Sequence, residues 1–179
     1  HKGFMWFGTI AGLNRYDGYT FKTFTHNAAD TFSLADNYVL KIFELPGYKM
    51  FIQSRNSSSV YDPAKEKFTD AATWLKAQGL PGKDLLNIAS SNDCFWFLFE
   101  SAGLYKMNRN GKTEKVLLQN KAAITDIKAG SRDHLVIVHN DAMIEKINCS
   151  NNEIIYSSDA VKRILNAQVY NFSLFTKAN

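Results

Sequence analysis

A recurring period is the feature that most constrains this chain. The run Gly3-Phe4-Met5-Trp6-Phe7-Gly8-Thr9, followed by Gly12-Leu13 and Tyr16-Asp17, returns in worn form as Gly47-Tyr48-Lys49-Met50-Phe51-Ile52-Gln53-Ser54 with Val60-Tyr61-Asp62. It returns again as Cys94-Phe95-Trp96-Phe97-Leu98-Phe99 with Gly103-Leu104-Tyr105, and as Leu135-Val136-Ile137-Val138-His139 with Ala142-Met143. Trp6, Phe51, Trp96 and Val136 thus stand 45, 45 and 40 residues apart. A second register agrees: Ile42, Ile88, Ile127 and Phe172, each closing an apolar run, are separated by 46, 39 and 45 residues. Turn residues keep the same phase, with Asp17-Gly18, Asp62-Pro63, Asn110-Gly111 and Asn151-Asn152 in one place and Pro46-Gly47, Asn92-Asp93 and Ser131-Arg132-Asp133 in the other. A period of this length marks a repeated supersecondary unit.

Each unit reads as four short strands joined by tight turns, rich in β-branched and aromatic residues. Such a sheet has two apolar faces and cannot bury both alone, so several twisted sheets pack radially. The predicted fold is all-β, a β-propeller of four-stranded antiparallel blades. The chain is expected to hold about four blade equivalents in one incomplete domain over residues 1–179, with units near 1–24, 37–68, 85–118 and 122–157 and the start of another at 167–175. Trp6, Phe51, Trp96 and Val136 are expected on equivalent strands and largely buried. Two short helices interrupt the pattern between blades. Asp70 caps Ala71-Ala72-Thr73-Trp74-Leu75-Lys76-Ala77-Gln78 before Gly79 and Pro81, and Ser158 to Leu165 forms the second. The strand count predicts a piece of a larger propeller. Its open terminal faces predict self-association, or pairing of 169–175 with the N-terminal strand.

The run from Gly3 to Tyr19 resembles the first-blade signature of the two-component regulator propeller repeat, and Phe21-Lys22-Thr23-Phe24, His26 to Asp30, Ser33-Leu34 and Asp36-Asn37 continue the likeness. The first 44 residues carry it, and the later units are degenerate copies: Phe51 and Val136 stand where the repeat prefers Trp, and Ser54, Phe99 and His139 where it prefers Thr. The resemblance implies the periplasmic sensor region of a hybrid two-component histidine kinase of glycan-degrading gut bacteria. The parent would carry a membrane span and a kinase, neither of which these residues contain. Trp6, Gly8, Thr9, Gly12 and Leu13 are framework in that family, and its motif transfers no catalytic or ligand residue.

Composition narrows the function. The net charge of +4 arises from 21 basic and 17 acidic residues without a block of like charge, so a nucleic-acid tail is not expected. Lys2 to Phe7 looks superficially like the aromatic strand of an RNA-recognition domain, but that strand recurs with the repeat period. No apolar stretch approaches a membrane span. Cys94 and Cys149, 55 residues apart with no C-x-x-C spacing, argue against a zinc site or a redox motif and read as two separate small apolar residues rather than as the alternative, a disulfide. His134 and His139 fall on opposite faces of one strand, a poor chelate. No metal, cofactor or catalytic residue is expected.

Binding is the expected function, with an oligosaccharide as ligand. In a propeller the loops joining second to third strands share a rim with those joining successive blades. Here they hold His26, Asn27, Asp36, Arg55, Asn56, Trp74, Glu100, His139, Asn140 and Asp141. Carboxylate, amide and guanidinium forks match paired hydroxyls, and an indole stacks on the C–H face of a sugar ring. Arg55, Asn56, Trp74, His139 and Asp141 are the candidate ligand contacts. The alternatives are a glycan-processing enzyme fragment on the same scaffold and a dimerisation scaffold that binds no ligand.

Overall fold

The computed structural model describes residues 3–91, 94–130 and 134–165. The strand expected at 167–175 and the turns at Asn92-Asp93 and Ser131-Arg132-Asp133 lie outside them. The chain divides into two compact units, His1–Gly82 and Lys83–Asn179.

In the first unit β1 (Met5–Thr9), β2 (Gly12–Tyr16) and β3 (Phe21–Phe24) form an antiparallel sheet in sequence order. A second sheet runs β4 (Val39–Glu44), β5 (Met50–Ser54), β6 (Ser59–Asp62) and β7 (Lys67–Asp70), again in sequence order. Side chains alternate across each strand, so Met50 and Ile52 share one face of β5 while Phe51 takes the other. Met50 and Ile52 join Leu13, Leu34, Val39, Tyr61 and Phe68 in a core against which Trp6, Phe24 and Ile42 pack. Trp6 stacks on Phe24 at 6.0 Å and meets Tyr61 edge-on at 5.3 Å. Gly8 allows β1 to approach β4: a Cβ there would stand 2.5 Å from Val39 Cγ1.

The helix predicted after Asp70 is α1 (Ala71–Ala77). The Asp70 side chain accepts hydrogen bonds from the Thr73 hydroxyl at 2.7 Å and the Thr73 amide at 2.8 Å, which holds its carboxyl below the usual range. Gly79 at φ +73° turns the chain out, and the Leu80 amide closes back on the Leu75 carbonyl at 3.0 Å.

The second unit repeats the plan. One sheet holds β8 (Leu85–Ser90), β9 (Cys94–Phe99), β10 (Gly103–Asn108) and β11 (Thr113–Lys115). The other holds β12 (Ile124–Ala129), β13 (His134–His139), β14 (Ile144–Asn148) and β15 (Ile154–Ser158), followed by α2 (Ala160–Leu165). Trp96 and Leu98 from one face of β9 pack with Leu135 and Ile137 from one face of β13, together with Leu104, Ile127 and Ile147. One detail shows that these sheets are copies. The first strand of every four-stranded sheet carries a register irregularity at the same phase, between Val39 and Lys41, Leu85 and Asn87, and Ile124 and Asp126.

Two expectations need correction. Trp6, Phe51, Trp96 and Val136 do lie on equivalent strands, but only Phe51 and Trp96 are buried, at 3% and 0% exposure. Trp6 is half-buried because, among the described residues, β1 has a strand on one side only, whereas β9 has a neighbour on each side. Val136 is half-buried because it points away from the face that Leu135 and Ile137 give to the core. The cysteines are not separate. Cys94 opens β9 and Cys149 directly follows β14, and the facing of the two sheets brings both thiols, each 2% exposed, into one core.

Trp96→Ala is expected to cost about 3 to 5 kcal/mol, through lost transfer energy and the cavity left behind. Gly8→Ala is expected to cost about 1 to 3 kcal/mol, because the β-branched Val39 cannot swing aside. Urea denaturation of each variant checks both values.

Candidate functional site

The predicted rim loops fold by one rule. The residue that follows the second strand of each four-stranded sheet donates its amide to a carbonyl just before the first strand. Arg55 donates to Tyr38 at 3.0 Å, Glu100 to Asp84 at 2.9 Å and Asn140 to Ala123 at 2.8 Å. Each loop between second and third strands is thereby tied to the loop that enters its own sheet.

In the first unit side chains reinforce this tie. Asp36 Oδ2 accepts from both the amide and Nδ2 of Asn56, at 2.8 Å each, and Asp36 Oδ1 accepts from the Tyr38 amide at 2.9 Å. The backbone donors of Tyr38 and then Asn56 hold the Asp36 carboxyl below its ordinary 3.8. The Arg55 guanidinium lies 4.2 Å from the centre of the Tyr38 ring, which orients the exposed cation. His26 belongs to the same rim: its amide donates to Asn37 Oδ1 at 2.6 Å and its Nδ1 donates to the Leu34 carbonyl at 2.9 Å. Asn27 is engaged locally with Ser33.

Arg55 and Asn56, consecutive in the loop after β5, are thus tied by Asp36 and Tyr38 to the loop that enters β4. Trp74 is half-buried in α1. That helix starts beside the same loop, where the Ala71 amide meets the Ser58 carbonyl at 3.1 Å. Among the described residues no hydrogen bond or cation–ring contact links Trp74 to Arg55 or Asn56.

His139 and Asp141 belong to the second unit. His139 is the last residue of β13 rather than a rim loop residue, and its ring is fully buried. Its Nε2 meets Glu145 Oε2 at 2.8 Å and its Nδ1 donates to the Ala122 carbonyl at 3.1 Å, so neither ring nitrogen can reach a ligand. His139 is corrected from a ligand contact to a support for Glu145. Asp141 does border open space, a groove of about 970 Å³ that Asn120, Met143, Glu145, Glu153 and Asp159 also line. Of the four carboxylates that line this groove, Glu145 is buried against His139 and Asp159 pairs with Arg163 at 2.9 Å, which leaves Asp141 and Glu153 as the acids nearer its open side. Glu145 escaped the sequence reading, although one signal was present. Glu145 pairs with Ile137 across β13 and β14 and shares the buried phase of Ile147, so an acid stands where the alternation calls for an apolar residue. Among the described residues no cluster of three or more ligating side chains could hold a metal ion. No helix among them is long and apolar enough to cross a membrane.

No protein-family model matches the sequence, and no curated protein matches it either. Solved structures do. The extracellular domain of BT3049 from B. thetaiotaomicron, described as a hybrid two component system, is 19% identical with a TM-score of 0.59 over 86% of this chain and 22% of that one. That of BT4673 from the same organism is 19% identical with a TM-score of 0.54, over 86% and 23%. PorZ of Porphyromonas gingivalis, a surface component of the type-IX secretion system, is 13% identical with a TM-score of 0.57, over 86% and 20%. These likenesses show the fold. The sheets are blades of the propeller type, and the chain spans between a fifth and a quarter of the length of each of these structures.

Because the Asp36 carboxyl is bound more tightly as its anion, the tie to Asn56 should be complete above 3.8 and be lost as pH falls through the lower folded value. An NMR titration of the Asp36 carboxyl carbon is expected to give a midpoint below 3.8. A midpoint at or above that value contradicts the arrangement.

Proposed function

We propose that this chain is part of the extracytoplasmic β-propeller of a two-component signalling receptor and that it helps to recognise an oligosaccharide. Its sheets would belong to a single larger propeller domain. The parent would resemble a sensor histidine kinase, with the catalytic machinery elsewhere.

The observation that carries this reading is the coincidence of two independent likenesses. The signature from Gly3 to Tyr19 resembles the two-component regulator propeller repeat, and the fold matches extracellular domains described as parts of such systems. The chemistry of the rim supports it. Arg55 and Asn56 are held by Tyr38 and Asp36 without being consumed in the core, and both remain exposed. Asp141 offers a carboxylate beside a groove wide enough for a sugar ring. Trp74 would add an apolar face to the first of these surfaces.

A specific observation favours a second reading, a surface for self-association. Met5, Phe7 and Phe21 are exposed at 54%, 42% and 64%, and the Phe7 and Phe21 rings lie 6.1 Å apart on a sheet whose edge, among the described residues, is β1. An exposed aromatic face beside an edge strand is a docking surface for another sheet.

Isothermal titration against a panel of oligosaccharides tests the first reading. A binding ligand should lose about tenfold or more in affinity, about 1.4 kcal/mol, when Arg55, Asn56 and Trp74 are all replaced by Ala. Unchanged affinity in a folded triple variant removes this rim as the site. Absence of binding across the panel, together with dimers in sedimentation, favours the second reading.

A further inference from the structure

The first unit has no thiol, but in the second the two cysteines converge from neighbouring sheets. Cys94 opens β9 and Cys149 directly follows β14. Both belong to one apolar cluster, with Trp96, Leu98 and Ile147, and both are 2% exposed. Both also line one cavity of about 320 Å³, whose remaining wall includes Lys106, Lys112, Glu114 and Ser150. The Ser91 hydroxyl lies 3.3 Å from Cys94 Sγ. Two thiols that share one buried cluster and line one cavity are placed to meet each other, and the polar side of that cavity opens a path to a small solute.

We propose that Cys94 and Cys149 form a disulfide that staples the β8–β11 sheet to the β12–β15 sheet, closed by a small peroxide oxidant admitted through this cavity. The Cys94 thiolate attacks one oxygen of hydrogen peroxide and the O–O bond breaks. The departing hydroxide takes up a proton as water, leaving Cys94 as a sulfenic acid. The Cys149 sulfur then attacks Cys94 Sγ and the S–O bond breaks. The second hydroxide leaves as water with the proton that Cys149 gives up. Two thiols and one peroxide thus yield one disulfide and two waters, with sulfur oxidised and peroxide reduced.

The asymmetry of the pair suits this order. The hydrogen bond from Cys149, aided by Ser91 and the Lys106 charge, lowers the Cys94 thiol to about 7, whereas the same bond and burial push Cys149 up. Cys94 is the nucleophile and Cys149 resolves the intermediate. The bond would persist in the oxidising compartment that the proposed function assigns, but its formation by the purified chain does not depend on that assignment.

The purified chain, first fully reduced, is treated with hydrogen peroxide and then analysed by intact mass, by thiol titration after denaturation and by non-reducing peptide mapping. The expected result is loss of both thiols, a mass lower by two hydrogens and a linkage between the Cys94 and Cys149 peptides of one chain. Dithiothreitol should reverse all three changes, and the oxidised form should melt higher than the reduced form. Cys149→Ser should leave Cys94 able to gain oxygen but unable to lose two hydrogens. Two thiols surviving in the wild type, oxygen added without cross-linking, or linkage only between chains would each overturn the proposal. These measurements need no ligand, so failure here is separate from failure of the sensor reading.

Discussion

A four-stranded sheet with apolar side chains on both faces is unstable alone, and the rest of this structure follows from how that constraint is met. Trp6 reaches from its sheet to the Met50 and Ile52 face of the next, and Trp96 reaches from its sheet to the Leu135 and Ile137 face of the next. Equivalent positions of β1 and β9 supply the large rings, and the opposite phase of β5 and β13 supplies the aliphatic bed. Full burial of an aromatic, as at Trp96, contributes about 1.5 to 3 kcal/mol by transfer alone.

Polar contacts then fix how the sheets within a unit meet. Arg15 pairs across from Trp6, lies 5.9 Å from its ring centre and donates to Glu66 Oε1 at 2.9 Å in the turn between β6 and β7. Lys106 pairs across from Trp96, lies 5.5 Å from its ring and donates to Asn152 Oδ1 at 3.1 Å in the turn between β14 and β15. Each cation therefore covers a ring and latches onto the hairpin of the next sheet. Glu66 and Asn152 both hold positive φ, at +50° and +60°, so the turn itself is shaped to present the acceptor. Nearer the inner edge, Asn87 Nδ2 donates to Asp126 Oδ1 at 2.7 Å, joining equivalent positions just past the irregularities of β8 and β12. These inner polar groups tie strand to strand.

Strands and turns were legible because they depend on local chemistry. Alternating large apolar residues, Asp17-Gly18, Asn110-Gly111 and the Asp70 cap announce their conformations within a few positions. The latches were not legible, since a basic residue opposite a Trp reads as an ordinary solvent face until the neighbouring hairpin is in place. The cysteine pair was hidden for a related reason. Its 55-residue separation matches no motif, and only the offset between the start of one strand and the end of another in the next sheet closes the gap. His139, at the end of β13, reads as a ligand contact because nothing local announces that both of its ring nitrogens are bonded internally, to Ala122 and Glu145. At the rim, Arg55, Asn56 and Asp36 were recognisable as polar loop residues, but their mutual hydrogen bonds arise from the fold and not from spacing.

Repetition of one backbone device links fold and rim, for the loops that could touch a ligand are positioned by the same amide in every four-stranded sheet. Amide hydrogen exchange at Arg55, Glu100 and Asn140 tests this most directly. Slow exchange at all three, each bonded to the carbonyl ahead of its own first strand, is the predicted result. Exchange at the rate of an unstructured peptide at any of them would contradict the account of these sheets as repeated copies of one blade.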